Sequence, residues 1–132
     1  MPYRPGWHPA FVTQGRDGAF YDDHRNKIAE LSEVIEASTR TPESAKLLEE
    51  VNSVVYLDRE TGRGVRVYSP HLPHTMLWSP GEDAGMFCIE HTTHLPRIGD
   101  EKRYFDAGLE AEVLVPGERK GYLVMVEPFL NS

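Results

Sequence analysis

The chain has 132 residues, enough for one compact domain with its own core but not for a second full domain. A hydrophobic share of 39% and a charged share of 27% exclude disorder throughout. With 14 Lys and Arg against 21 Asp and Glu, the formal charge of -7 has the wrong sign for a surface that tracks phosphates, so nucleic acid is not an expected partner.

Trp7 to Thr13 alternates Trp7, Pro9 and Phe11 with His8, Ala10 and Val12, as a strand does, and Pro9 places that strand at an edge or a bulge. Over Asp22 to Ala37, Ile28, Leu31 and Ile35 recur at helical spacing, with Asp22 or Asp23 as cap. Thr41-Pro42-Glu43-Ser44, followed by Leu47, Leu48 and Val51, predicts a second, short helix. After Asn52 the period falls to two. Ser53 to Asp58 and Val65 to Ser69 read as a hairpin turned by Thr61-Gly62-Arg63-Gly64, and His74 to Trp78 and Met86 to Glu90 as two further strands. Leu109 to Val115 alternates again, Pro116-Gly117-Glu118 turns the chain, and Gly121 to Val126 reads as the last strand. Six or seven strands with two minor helices predict one all-β domain over residues 1–132, an antiparallel β-sandwich or open barrel.

The longest apolar runs, such as Leu123 to Val126, are too short to span a bilayer, and Met1 to Gly6 lacks the apolar core of a signal peptide. Cys88 is the single cysteine, so neither an intramolecular disulfide nor a cysteine zinc site is expected. A cytoplasmic protein without membrane contact is expected.

Six histidines draw attention, four of them near Glu90: His71, His74, His91 and His94. H-L-P-H and H-T-T-H each place two His three apart, a spacing that converges on a helix but points to opposite faces on a strand. Exposed loop histidines are the plainer reading, and a cupin-like metal site of His71, His74, Glu90, His91 and His94 is the alternative. Strand alternation puts Glu90 on one face with Met86 and Cys88. On an apolar concave face desolvation would raise its pKa and suit it to accept protons; at a strand end facing water it would be an ordinary carboxylate. His8 shares its face with small Gly6 and Ala10, which leaves room for a ligand. There is no P-loop, no dinucleotide fingerprint and no G-x-S-x-G elbow, and Cys88 inside an apolar strand reads as an inert buried thiol.

Pro5-Gly6-Trp7-His8-Pro9-Ala10-Phe11 resembles the G-W-H-P-x-F segment of the aldose 1-epimerase (galactose mutarotase) family. Val65 to Ser69, Leu77-Trp78-Ser79-Pro80 and Phe87-Cys88-Ile89-Glu90 resemble that family's three strands ending in C-I-E-P, and Val113 to Glu118 its L-x-P-G-E segment, all in family order. The resemblance spans Pro5 to Phe11 and Asn52 to Val126. It implies a β-sandwich that interconverts the anomers of an aldose or sugar phosphate without metal or other cofactor. Glu90 would take the anomeric proton and His8 would protonate the ring oxygen from the opposite side of the sugar. It also implies Asn52, Trp78 and Arg97 as substrate-binding candidates, with Asn52 standing where many relatives carry Asp and His91 where they carry Pro. Arg59, Arg63, Arg66 and Arg97 are candidates to hold a phosphate.

The resemblance begins at the family's midpoint. A half-sandwich is therefore expected, with one apolar sheet face for a homodimer partner or a complementing chain to cover. A non-catalytic carbohydrate-binding or regulatory module on the same scaffold is the alternative use.

Overall fold

Alternating apolar side chains bury one face of the central strands, and two five-stranded antiparallel sheets result. The computed structural model describes residues 2–3, 6–13, 17–40, 45–95 and 112–131. The strands are β1 (Pro2–Tyr3), β2 (Gly6–Trp7), β3 (Ala10–Val12), β4 (Gly18–Tyr21), β5 (Lys27–Glu30), β6 (Lys46–Leu48), β7 (Ser53–Asp58), β8 (Arg63–Tyr68), β9 (His74–Trp78), β10 (Met86–Thr92), β11 (Glu112–Val113) and β12 (Met125–Leu130). The helix α1 spans Leu31–Arg40, and a single 3-10 turn spans Glu82–Ala84.

One sheet runs β12-β8-β7-β4-β5; in the other β10 pairs with β2 and β3 on one side and with β9 on the other, and β9 carries β6. β1 pairs with β11 alone. The sheets face each other through an aromatic cluster centred on Phe87. Its ring lies 5.6 Å from that of Phe11, 5.3 Å from Phe20 and 4.1 Å from Tyr56. Val54, Val65, Val67, Leu77 and Ile89 complete this buried layer. Gly18 makes room for it, because a Cβ there would lie 2.6 Å from the Tyr56 ring.

The expected hairpin forms as β7 and β8, turned at Gly62 with φ 69. The strands expected at His74 to Trp78 and Met86 to Glu90 form as β9 and β10. Pro116-Gly117-Glu118 turns the chain as expected, the Glu118 N–H donating to the Val115 carbonyl. The last strand starts later than expected, at Met125, and of the strand expected over Leu109 to Val115 the described part is β11.

The helical expectations need correction. Asp22 does not cap a helix: its carboxylate accepts the N–H groups of His24 and Asn26 at 2.8 Å and closes a tight β4–β5 turn, so Ile28 falls in a strand. The helix starts at Leu31, where Glu33 reaches back to accept the Glu30 N–H at 2.6 Å, one half of a capping box. Its Leu31 and Val34 join the core, and it touches β9 in one sheet and β4 and β5 in the other. Of the second expected helix, Thr41 to Ser44 lie outside the described residues. Ala45 to Val51 hold β6 and a turn with Glu50 at φ 56 instead. No helix among the described residues is long and apolar enough to cross a membrane.

Candidate functional site

β10 sorts its side chains by the strand period. Phe87, Ile89 and His91 point toward the opposite sheet, which leaves Cys88 and Glu90 on the outward face of their own sheet. On one side of β10, Trp7 pairs with His91 and Ala10 with Cys88, so the register runs unbroken and His8 stands opposite Glu90. Pro9 has no N–H to give the ladder, which is why β2 and β3 are separate strands on one line. On the other side Met76 faces Glu90 and Trp78 faces Cys88.

This register brings His8 Nε2 to 3.1 Å from Glu90 Oε1. The two partners differ in exposure: the His8 side chain is 64% exposed and that of Glu90 11%. Burial pushes the Glu90 carboxyl above its usual range, and the nearby His8 pulls it back in part. The Trp78 ring stands edge-on to His8, centroids 6.2 Å apart. Cys88 is buried, and its thiol is pushed up to about 11 by that burial and by Glu90.

The two residues that the resemblance singles out as base and acid are thus together, but as direct neighbours. They meet at 3.1 Å, with no sugar-sized gap between them. Trp78 joins the pair. Asn52 does not: it leads into β7 in the other sheet, where its carbonyl accepts the Ser69 N–H. Arg97 lies outside the described residues.

The cupin-like histidine set does not assemble. His91 is fully buried toward the core, Nδ1 at 2.8 Å from Thr75 Oγ1 and Nε2 at 3.2 Å from the Val67 carbonyl, and burial lowers its pKa. His74 Nδ1 accepts the Glu50 N–H, His71 Nδ1 accepts the Leu123 N–H, and His94 Nδ1 meets Thr93 Oγ1. Among the described residues the metal-ligand types converge in one group, His8, Cys88 and Glu90. Cys88 is the member of this group that the sequence does not single out, although its i, i+2 relation to Glu90 is the available signal.

Two of the phosphate candidates are committed elsewhere. Arg59 pairs with Asp17 and Glu30, and Arg66 with Asp23 and Glu127. The Arg66 network borders a groove of about 890 Å³ on the outer face of the other sheet, floored by Val55 and Leu57. That groove is separate from the His8–Glu90 pair. No protein family, no curated protein and no solved structure matches the chain.

Proposed function

We propose that the His8–Glu90 pair opens and recloses the hemiacetal ring of an aldose or aldose phosphate, the activity implied by the resemblance to aldose 1-epimerases. The supporting observation is the direct contact of a desolvated carboxylate with an exposed imidazole. In a cyclic aldose the anomeric hydroxyl and the ring oxygen share one carbon, so an adjacent acceptor and donor address both from the same side of the sugar. Glu90 as carboxylate takes the proton of the anomeric hydroxyl. The bond between the anomeric carbon and the ring oxygen breaks, its electron pair goes to that oxygen, and protonated His8 supplies the proton. Rotation about the bond to the next carbon and the reverse transfers give the other anomer and restore both groups. Trp78 offers an apolar surface for the C–H face of the sugar.

The expected uncovered sheet face is absent, because the two sheets cover each other's apolar faces; a homodimer or complementing chain stays part of the proposal, with the exposed Val126, Phe129 and Leu130 of edge strand β12 as the surface it covers. Mutarotation of freshly dissolved α-hexoses, followed by polarimetry, tests the proposal. A rate above buffer that Glu90→Gln removes supports it. A wild-type rate equal to buffer on every hexose and hexose phosphate, with the sugar still bound, points instead to a carbohydrate-binding module.

A further inference from the structure

We infer that His8, Cys88 and Glu90 form a three-ligand site for a borderline-soft divalent cation of the Zn2+ class. The inference does not rest on the sugar reaction; because it uses the same His8 and Glu90, a bound cation and ring opening exclude each other, and Zn2+ should inhibit any mutarotation. Three side chains of different chemistry, imidazole, thiol and carboxylate, bring Nε2 or Nδ1, Sγ and a carboxylate oxygen within 4.8 Å of one another. Two of them come from alternate positions of one strand and the third from the position directly across, so the sheet itself presents all three on one face. Metal bonds of about 2.0–2.3 Å require tetrahedral ligand atoms to stand closer than this, by roughly 1 Å. His8 and Glu90 already stand at 3.1 Å, so the remaining adjustment lies with the distances to Cys88 Sγ.

The donor set selects the metal class. Nitrogen and sulfur disfavour Mg2+ and Ca2+, which take oxygen ligands, and match Zn2+ and Co2+. A thiolate and a carboxylate together neutralise the two charges of the cation, and the neutral imidazole adds none. As the metal–sulfur bond forms, the Cys88 proton leaves to solvent, so binding strengthens as pH rises. Met76 and Trp78, half-buried and paired opposite Glu90 and Cys88 on β9, supply the apolar surround that keeps competing water away. With three protein ligands, a bound cation would keep its fourth position for water or substrate, as at catalytic rather than structural zinc sites.

Co2+ titration of the full chain, watched by electronic absorption, tests the site. The expected result is one Co2+ per chain, with a thiolate-to-metal charge-transfer band and tetrahedral ligand-field bands, both displaced by Zn2+. Cys88→Ser should abolish the charge-transfer band. Because Cys88 is buried and its replacement perturbs the core, His8→Ala on the exposed strand is the second arm. It should weaken Co2+ binding by about a hundredfold, since even outer-shell partners are worth about 10–100-fold. No saturable binding at one per chain, or a charge-transfer band and affinity unchanged in both variants, would overturn the inference.

Discussion

His8 and Glu90 are cross-strand partners whose side chains meet at 3.1 Å, one mostly in water and the other mostly out of it. Pro9 shapes this contact by ending the ladder beside His8, so the imidazole is held in register without being locked into the sheet. The asymmetry sets the roles in the proposed reaction. The desolvated carboxylate has the higher proton affinity of its kind, and the exposed imidazole exchanges protons with solvent between turnovers.

The first prediction is a pH profile. Turnover of an aldose should fall on the acid side as Glu90 protonates, with a midpoint above the ordinary carboxylate value of 4.5 because burial raises it. A profile flat through that region would remove Glu90 from the base role. His8→Asn should slow ring opening by about two to four orders of magnitude while leaving the chain folded, as judged by circular dichroism.

A second prediction concerns His91, which burial holds neutral below its ordinary value of 6.5. The folded state therefore binds fewer protons than the unfolded chain as pH falls past that value. Stability should be fully present above it and should decline from there toward the lower folded value. Urea unfolding of wild type and His91→Gln at a series of pH values checks the sign: the difference between them should shrink with acidification. A difference that grows toward low pH would mean that His91 is charged in the fold.

The sandwich core supplies a third. Phe87→Ala should cost about 3–5 kcal/mol, because its ring touches Phe11, Phe20 and Tyr56 and none of them can close the gap alone. Gly18→Ala should cost about 1–3 kcal/mol by driving a methyl into the buried Tyr56 ring. Denaturant midpoints measure both, and an unchanged midpoint in either would contradict the packing described above.

Much of this fold could be read before its structure, and the reasons for success and failure differ by element. β7 to β9 were legible because buried residues alternate with less buried ones, β10 because Phe87 to Ile89 form a short apolar run, and the Gly62 turn between β7 and β8 is short. Ile28, Leu31 and Ile35 fit a helix by spacing, yet only Leu31 and Ile35 are helical, because the bonds Asp22 makes to the next few N–H groups win locally and send Ile28 into a strand. Register was the least legible property. Nothing in local sequence states that His8 lies opposite Glu90; motif resemblance suggested a shared role for the two, and antiparallel pairing brought them into contact. The histidines around Glu90 misled for the converse reason, since closeness in sequence on a strand and its loops separates side chains as readily as it gathers them.

Assembly gives a fourth prediction. Strand β12 carries exposed Val126, Phe129 and Leu130 on a sheet edge, and covering them by a second copy predicts a dimer in sedimentation at micromolar concentration. Leu130→Lys should shift the population toward monomer. A monomer in the wild type at that concentration would contradict self-association.

The most direct test of the His8–Glu90 pair as a ring-opening device is anomer exchange at equilibrium, measured by magnetisation-transfer NMR on glucose, galactose and their 6-phosphates. Wild type should exchange the α and β signals of at least one of them faster than buffer does. Glu90→Gln should bind the same sugar with little loss of affinity and lose about two to four orders of magnitude of that rate. Exchange equal to buffer for every sugar, or undiminished exchange in Glu90→Gln, would contradict it.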